Sequence, residues 1–199
     1  MAQQNSFYSM EELKDMGFKS IGADLSISKK ASFYGVENIS IGSHVRIDDF
    51  CILSGKISIG DYIHIAAYSA LYGSDAGIQI NEFANISSRV CIYAVTDDYS
   101  GESMTSPMIP DEYKNLQKAP VYIGRHAIIG SGSVVLPGSE IGEGCAVGSL
   151  SLIKNALDAW WIYAGIPAKK LKQYFPESYS KAQMEEVIFM LLASWAEKQ

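Results

Sequence analysis

The sequence lacks several features that mark common protein classes. Its 199 residues contain three cysteines, an odd number that cannot form a closed set of disulfides, so a disulfide-stapled scaffold is excluded. It has no run of basic residues and a net charge of −6, which argues against nucleic acid or an anionic membrane as the main partner. No apolar run is as long as a bilayer span, and no signal pattern opens the chain. We therefore expect a cytoplasmic protein without membrane insertion.

Signatures of nucleotide and metal binding are missing as well. The chain has neither a Walker phosphate loop nor a dinucleotide fingerprint. Its three histidines, His44, His64 and His126, are scattered, and no Cys and His spacing typical of a metal site is present. The sequence therefore predicts no bound metal. With 48% hydrophobic and 19% charged residues, the chain still has the composition of a globular protein.

A repeat of six residues dominates the stretch from Ile123 to Ile153. An aliphatic residue returns at every sixth position, namely Ile123, Ile129, Val135, Ile141, Val147 and Ile153. A small residue follows four places after each of the first five, namely Ala127, Ser133, Ser139, Cys145 and Ser151. Because six is a multiple of two, the aliphatic side chain always faces the same side of a strand. This pattern predicts a parallel β-helix, in which three hexads form one triangular coil around stacked aliphatic residues.

The same repeat extends back towards the N-terminus. It begins weakly at Ile21 and, after a break, runs in step from Ile41 to Ile92. One step is longer, because nine residues separate Leu71 from Ile80. We expect these extra residues to form a small excursion at a corner of the coil.

Helices are expected only at the two ends of the chain. Ser9 and Glu12 form a capping box that opens a short helix, and Gly17 ends it. Ser180 is expected to cap a final helix with one apolar stripe, which consists of Met184, Val187, Ile188, Leu191, Leu192 and Trp195. The chain is thus predicted to be a single domain, 1–199, made of a helical segment (1–20), a β-helix (21–155) and a C-terminal turn and helix (156–199).

A segment without hexads, residues 96–120, interrupts the repeat. It is polar and contains three prolines, and an irregular loop of this length inside a compact domain is usually functional. We expect its apolar residues to anchor it, whereas a decorative or disordered insert is the alternative. These residues are Tyr99, Met104, Met108, Ile109 and Tyr113.

The hexads, the loop and the closing segment Ala164–Lys169 resemble the hexapeptide-repeat acyltransferases over roughly residues 20–172. Within that family the chain is more similar to the N-acyltransferases of nucleotide-linked amino sugars. Four segments carry this likeness: Asn5–Ser9, Arg46–Gly55, Phe83–Ser88 and Asp97–Asp98. The resemblance implies an all-β solenoid, a left-handed parallel β-helix, assembled as a homotrimer with acyl-CoA between the coils of adjacent subunits.

The resemblance also implies where the catalytic residues lie. The family's O-acetyltransferases carry a histidine where the chain enters the loop, whereas this sequence has Asp97 and Asp98 there. A sugar amine needs a milder base than a sugar hydroxyl, so a carboxylate suits acylation of an amine. We expect Asp97 to bind the amino group and act as general base, with Asp98 as second candidate. Both aspartates could instead cap the turn into the loop.

Ser87 resembles the polar residue that helps to hold the substrate or the thioester oxygen, although it could simply satisfy the corner backbone. Asn85, Ser88 and Tyr99 are expected to bind the acceptor. A backbone N–H near Ser87–Ser88 or Gly130–Ser131 is expected to stabilise the oxyanion. The resemblance implies that acyl-CoA lies along the later coils, at Gly130, Ser131, Gly148, Ser149, Lys154, Pro167 and Lys169.

The sequence therefore favours an N-acyltransferase that uses acetyl-CoA or another short-chain acyl-CoA. Its acceptor is expected to be a nucleotide-linked deoxyamino sugar, with dTDP as the nucleotide, in the synthesis of surface glycans. An O-acetyltransferase of a sugar hydroxyl and a non-catalytic hexapeptide-repeat binding protein are the alternatives. A zinc β-helix of the carbonic anhydrase kind is a weaker third, because it needs three well-placed histidines. Cys51 and Cys145 occupy inward small positions, so they are expected to be core thiols, with a catalytic thiol as the alternative.

Overall fold

Short parallel strands wind into a left-handed β-helix of about seven turns. The computed structural model describes residues 6–175 and positions 180, 182–183, 185–187 and 190. A helix, α1 (Met10–Asp15), precedes the strands, and two 3-10 turns lie at Val36–Asn38 and Asp111–Tyr113. The strands are β1 (Ser20–Ile21), β2 (Ser26–Ile27), β3 (Ser32–Tyr34), β4 (Ile39–Ile41), β5 (Arg46–Ile47), β6 (Ile52–Ile59), β7 (His64–Ile65), β8 (Ala70–Ile80), β9 (Asn85–Ile86), β10 (Cys91–Tyr93), β11 (Val95–Thr96), β12 (Gln117–Lys118), β13 (Val121–Ile123), β14 (Ile128–Ile129), β15 (Val134–Val135), β16 (Glu140–Ile141), β17 (Ala146–Val147), β18 (Leu152–Ile153), β19 (Trp161–Ala164) and β20 (Lys169–Gln173).

The strands form three flat faces. The first face stacks β3, the first half of β6, the first half of β8, β10, β15 and β18. The second face stacks β1, β4, the second halves of β6 and β8, β13 and β16. The third face stacks β2, β5, β7, β9, β14, β17 and β19, and β20 closes it as an antiparallel strand. The handedness and the parallel stacking confirm the predicted fold class.

The capping box predicted for α1 is present. The Glu12 N–H donates to the Ser9 hydroxyl at 3.1 Å, and the Ser9 N–H donates to the Glu12 carboxylate at 2.7 Å. Gly17 follows the C-cap with a φ of +78°, a left-handed conformation in which glycine carries no steric cost. Leu13 is fully buried, so the helix covers the open end of the first coils.

The interior follows the hexad pattern closely. The six aliphatic residues from Ile123 to Ile153 are at most 3% exposed, and the small residues between them are equally buried. The buried serines donate their hydroxyl hydrogens to backbone carbonyl oxygens, as Ser139 does to Ile153 at 3.3 Å and Ser151 to Gly148 at 2.7 Å. These buried hydroxyl groups are thereby satisfied, as a low-dielectric core requires.

The coil turns each corner through a residue in the left-handed region. Between the second and third faces these residues stack as a column of rings, with φ between 57° and 62° and centroid separations of 4.4 to 5.0 Å. The column consists of His44, Tyr62, Phe83 and His126. A second column, at the corner between the third and first faces, contains Phe50, Tyr68 and Arg89. Ring stacking offsets part of the cost of the strained backbone.

The excursion predicted after Leu71 is part of a continuous strand. β8 runs unbroken from Ala70 to Ile80 alongside β6, and the extra residues are absorbed as an irregularity in register near Ser74. Gly73 and Gly77 allow this because any side chain there would meet the neighbouring coil at Lys56. The predicted excursion is therefore present at this corner, as a bulge with positive φ at Ser74 and Gly77, and the ladder with β6 keeps it in the sheet.

The strands that precede and follow the loop both pair with the same strand, β8. β10, which precedes it, pairs with the first half of β8, and β13, which follows it, pairs with the second half. The loop's own stems, β11 and β12, pair antiparallel with each other. The coils above and below therefore stack as if the loop were absent, as expected of a solenoid in which each coil contacts only its neighbours.

The C-terminal part is described only in fragments. The N–H of Ser180 donates to the side-chain oxygen of Gln183 at 2.8 Å, and the N–H of Gln183 donates back to the Ser180 hydroxyl at 3.3 Å, which is the predicted cap. Val187 is helical, but the other residues of the predicted apolar stripe, Met184, Ile188, Leu191, Leu192 and Trp195, lie outside the described residues. No helix in the described part is long and apolar enough to span a membrane.

Close stacking of the coils predicts a steric test at Gly124. A methyl group there would lie 2.6 Å from the backbone nitrogen of Glu143 and 2.8 Å from the carbonyl carbon of Gly142. We expect Gly124→Ala to lower the free energy of unfolding by about 1–3 kcal/mol, the usual cost of overpacking. Thermal unfolding measures this, since about 1 kcal/mol corresponds to a shift of roughly 2–4 °C in Tm for a chain of this size.

Gly148→Ala is the matched control for this test. Gly148 holds the equivalent place after a repeat aliphatic, but its added methyl would meet only the Ala164 side chain, at 3.0 Å. The decrease in the free energy of unfolding should be smaller for Gly148→Ala than for Gly124→Ala. Equal melting temperatures for the two variants would contradict the steric account.

Candidate active site

Asp97 stands where the chain leaves the β-helix for the loop. It directly follows β11, whose Thr96 pairs with Gln117 of β12. The antiparallel stem fixes the direction in which the chain departs from the first face. The side chain is partly exposed and lines a cavity of about 590 Å³ between the loop and the end of that face.

Two tyrosines form the floor of this cavity. Tyr72 of β8 and Tyr93 of β10 are register partners, and their rings stack with centroids 5.1 Å apart. Burial, followed by the nearby Cys91 and Tyr72, raises the pKa of Tyr93 above its ordinary value of 10.0. Tyr93 therefore keeps its phenolic proton at neutral pH and can donate a hydrogen bond. Sequence reasoning missed this pair, although each tyrosine directly follows a repeat aliphatic, Leu71 or Ile92.

The rest of the cavity wall comes from the loop and its stem. It combines apolar surface with a few polar groups, contributed by Val95, Thr96, Ser106, Pro107, Lys114 and Leu116. Lys114 is the cation of the cavity wall, and its ammonium pairs with Asp111 at 2.7 Å. Among the described residues, Asp97 has neither a hydrogen-bond nor an ion-pair partner. The cavity thus presents an uncommitted carboxylate.

Asp98 has the opposite role. It is buried and accepts hydrogen bonds from the Ser100 N–H, the Ser100 hydroxyl and the Ser103 hydroxyl, each at 2.9 Å, and from the Asn115 amide at 3.4 Å. These donors, the Ser100 N–H first, lower the pKa of Asp98 from its ordinary value of 3.8. Asp98 is therefore the hub that holds the two arms of the loop together. Its second-candidate role as catalytic base is not supported, because all of its acceptor capacity is used.

The prediction that apolar side chains anchor the loop was wrong. Tyr99 is 87% exposed and Met108 is 88% exposed, and Met104 and Tyr113 are also exposed, so only Ile109 is partly covered. The loop is ordered by the Asp98 hub and by its backbone stem instead. Tyr99 also lies outside the lining of the Asp97 cavity, so nothing within one chain supports its expected role in acceptor binding.

Ser87 and Ser88 lie at the corner between the third and first faces. The same corner positions in the next two coils are Gly130–Ser131 and Gly148–Ser149, and the coils connect through hydrogen bonds from the Ser87 N–H to Ile129 and from the Gly130 N–H to Val147. The structure thus brings the predicted serines and most of the predicted CoA-binding residues into one column. The hydroxyls of Ser88 and Ser131 lie 3.3 Å apart within it.

Hydrogen bonds between the coils leave some backbone N–H groups of this column without an acceptor, and only those could donate to an oxyanion. The N–H groups of Ser87 and Gly130 are used between coils, whereas those of Ser88 and Ser131 have no acceptor among the described residues. Small residues in this column leave the backbone accessible to a long, thin ligand. Lys154, Pro167 and Lys169 lie further along, at the closing end, where the turn after β19 packs back on Leu152 through the Ala168 N–H.

Within one chain the serine column and Asp97 are not adjacent. They lie at opposite ends of β10, separated by the width of the first face, roughly 15 Å at the rise of a strand. Asn85 points outward from the third face, next to the register partners His64 and Ile128. The structure therefore does not gather all of the predicted acceptor-binding residues into one site on one chain.

The histidines and the buried cysteines have structural positions. The His126 ring stacks on Phe83 at 5.0 Å, at a corner that carries no loop, and burial followed by the Arg125 charge lowers its pKa. Burial raises the thiol pKa of Cys51 to about 11 and that of Cys145 to about 12, so neither supplies a thiolate at neutral pH. Among the residues that the structure describes, no group of His, Cys, Asp and Glu is placed to hold a metal ion.

Comparison with known proteins finds several relatives of this chain. Residues 120–155 match the family described as bacterial transferase hexapeptide (six repeats). The dTDP-4-amino-4,6-dideoxy-D-glucose acyltransferase of Escherichia coli is 52% identical over 165 residues, which cover 81% of this chain and 85% of the relative. WbbJ of Escherichia coli K12, named for O-acetyl transfer in lipopolysaccharide biosynthesis, is 32% identical over 151 residues, or 71% of this chain and 72% of WbbJ.

A solved structure covers nearly the whole chain. AntD, an N-acyltransferase from Bacillus cereus in complex with dTDP and 3-hydroxybutyryl-CoA, has a TM-score of 0.88 and 51% identity over 97% of this chain and 100% of AntD. AntD has also been solved with a serine or an aspartate substituted, and two serine variants hold dTDP-4-amino-4,6-dideoxyglucose and CoA.

The Asp98 hub predicts how the loop responds to mutation and to pH. Asp98→Asn should leave the β-helix intact but increase hydrogen exchange across residues 98–116, because one of its oxygens becomes an amide donor facing other donors. Asp97→Asn is the matched control and should leave exchange unchanged. Loop protection that survives Asp98→Asn would contradict the hub.

The pH dependence follows from the lowered pKa of Asp98. A carboxyl group whose pKa is lower in the folded state stabilises it above the ordinary pKa, and this contribution is lost as the pH falls through the folded value. Protection of the loop should therefore persist from pH 7 to about pH 4 and disappear only below the ordinary value of 3.8. Hydrogen exchange at a series of pH values, corrected for intrinsic rates, measures it; loss of protection between pH 6 and 5 would point to another group.

Proposed function

This chain belongs to the hexapeptide-repeat acyltransferase family, and we propose that it transfers an acyl group from acyl-CoA to the amino group of a dTDP-linked deoxyamino sugar. The E. coli relative is named for dTDP-4-amino-4,6-dideoxy-D-glucose, and we extend that acceptor class to this chain. The observation that carries the proposal is the uncommitted Asp97 carboxylate, which faces a cavity lined by two tyrosines.

Asp97 suits the demands of amide formation. The acceptor amine enters as an ammonium ion, which an unpaired carboxylate attracts and orients. Asp97 then accepts one proton, and the neutral amine attacks the thioester carbonyl carbon. The carbon–sulfur bond breaks as the tetrahedral intermediate collapses, and the second proton lost by the nitrogen passes to the departing thiolate, so that CoA leaves as a thiol. The N–H groups of Ser88 or Ser131 are available to stabilise the oxyanion.

A spacing in the relative supports Asp97 and Ser87. The serine and the aspartate substituted in AntD are ten positions apart, as are Ser87 and Asp97 in this chain. Ser88 and Asp98 have the same separation, but the carboxylate of Asp98 already accepts hydrogen bonds from Ser100 and Ser103 of the loop. The geometry therefore favours the first pair.

Acyl-CoA fits the column of small residues on the later coils. Ser131 and Ser149 present only small side chains beside the backbone along which the pantetheine would lie, and Lys154 and Lys169 are exposed near the closing end, where they can meet phosphates. Acetyl-CoA or another short-chain acyl-CoA is the donor in this proposal.

The split between the two corners favours a homotrimer. In this arrangement the Asp97 corner of one subunit faces the serine column of the next, so that each site is shared. Exposed apolar side chains occur at both corners, and covering them is a reason for copies to associate; they include Phe50, Tyr68, Leu150, Met104 and Met108. We further propose that residues 1–199 act as one domain and that the enzyme works in the cytoplasm.

O-acyl transfer is the second candidate because of the similarity to WbbJ. A sugar hydroxyl needs a stronger base, for which histidine is the usual choice. None of the residues that line the Asp97 cavity is a histidine, and His126 lies at a different corner. The cavity thus favours an amine.

Asp97 should matter more than any histidine. Asp97→Asn retains shape but removes charge and basicity, so kcat/KM for the amino sugar should fall about 100-fold or more, within the usual range for a general base. KM should rise as well, because the ammonium loses its partner. Thiol release from acetyl-CoA with a dTDP-linked 4-amino sugar measures both.

His126→Asn is the comparison variant and should change kcat/KM by less than about tenfold. A plain sugar alcohol serves as the second acceptor. An inactive His126 variant beside an active Asp97 variant would refute the carboxylate mechanism and favour O-acyl transfer.

The shared site can be tested by mixing subunits. Light scattering at micromolar concentration should give the mass of a trimer. Ser87→Ala and Asp97→Asn variants, each weakly active alone, should regain activity when co-expressed, because about one site in three of a mixed trimer has both residues intact. A monomer, or no recovery in mixed trimers, would contradict the shared site.

A further inference from the structure

A second cavity lies on the second face, beside the re-entry of the loop. Its volume is about 160 Å³. Its floor is a row of outward-facing side chains in register on four stacked strands, namely Ser40, Ser58, Gln79 and Tyr122. The repeat constrains the inward and the corner positions but not the outward ones, so this polar row is not a requirement of the fold. We call the cavity the lysine groove.

Two lysines give the groove its charge. Lys19 and Lys56 both line it, and none of the lining residues is acidic. Among the described residues neither ammonium group has an ion-pair partner. The acidic residue nearest in sequence to the bulge, Asp75, pairs with Lys118 at 3.0 Å instead, and hydrogen bonds from Ser74 and then Lys118 lower its pKa to about 2. In a chain with a net charge of −6, this is a local concentration of uncompensated positive charge.

The irregular part of β8 positions one of these lysines. The stem of Lys56 lies across Gly77, whose hypothetical Cβ would be 3.3 to 3.6 Å from the Cδ, Cγ and Cε atoms of that stem. Gly77 also has a φ of +101°, which a side chain would disfavour. The extra residues between Leu71 and Ile80 therefore make room for the Lys56 side chain beside Gly77.

We propose that the lysine groove binds a phosphate or diphosphate group. Two ammonium groups beside hydroxyl and amide donors match the charge and the hydrogen-bonding capacity of such an anion. This assignment rests on the proposed function, which makes the anion the diphosphate of the nucleotide-linked acceptor. The phosphates of CoA are the other source of the same chemistry.

The position of the groove fits the acceptor. Pro120 and Val121 form one of its walls, and the β11–β12 stem connects this wall to Asp97. Pro120 is three residues beyond Gln117, the partner of Thr96, a distance of about 10 Å along an extended chain. A 4-amino hexose, the acceptor class of the E. coli relative, carries its amino group on C4 and its diphosphate on C1, across one ring. With the amine at Asp97, the diphosphate would lie one ring away, a separation comparable with that of the groove.

Equilibrium binding without turnover tests the proposal. Isothermal titration calorimetry of the full chain with dTDP, CoA and inorganic pyrophosphate would be repeated on Lys19→Gln, Lys56→Gln and the double variant. Each single change should raise the Kd for dTDP about tenfold, the cost of one charge-assisted contact, and leave CoA binding unchanged. Lys14→Gln, an exposed lysine on α1, is the matched control and should behave like wild type. Circular dichroism verifies that each variant folds.

The outcomes separate the possible sources. Weaker binding of dTDP and pyrophosphate, with CoA unaffected, supports the groove as the acceptor's diphosphate site. Weaker CoA binding alone would overturn that assignment and give the groove to the coenzyme's phosphates. Wild-type affinity for all three ligands in the double variant would overturn the groove altogether. The proposed function is judged separately, since its failure would appear as no thiol release by the wild-type enzyme even if dTDP still binds.

Discussion

The hydrogen bond between successive coils is the constraint on which the rest of the structure depends. It sets the coils one strand spacing apart, about 4.8 Å, so every position in the hexad is repeated above and below itself. Inward positions become columns of aliphatic residues, and corner positions become columns of left-handed residues. Gly124 and Gly130 show how little room remains, since a methyl group at either would meet the backbone of the next coil. Outward positions are free of this constraint, so their side chains can differ from coil to coil and can serve binding.

The two functional corners follow directly from this stacking. The serine column is built from coil-to-coil repetition, so it suits a long ligand that contacts several coils in succession, which is the proposed position of CoA. The Asp97 cavity is built from the one segment that escapes repetition, so it can have a unique shape for an acceptor. The width of the first face separates them. In the proposed trimer, a neighbouring subunit would bring the repetitive donor surface and the non-repetitive acceptor surface together.

The sequence predicted the fold better than the site, and the reason is physical. A residue at an inward hexad position has one possible environment, so the core from Ile41 to Ile153 could be read from spacing alone. Asp97 and Asp98 are chemically identical neighbours, and only the donors from Ser100 and Ser103 distinguish a structural carboxylate from an available one. Those donors depend on a loop path that no periodicity encodes. The stacked Tyr72 and Tyr93 were missed for a related reason, because their importance arises from register between coils.

The strand β8 supports both β10 and β13, and this has an evolutionary consequence. The segment between those two strands can be exchanged while the pairings of β10 and β13 with β8 are kept. A lineage can therefore inherit an acyl-donor surface unchanged while its acceptor preference diverges through insertions, deletions and substitutions in one short stretch of gene. The fold separates what must be conserved from what is allowed to drift, and relatives with different sugar specificities are expected to differ most between Tyr93 and Val121.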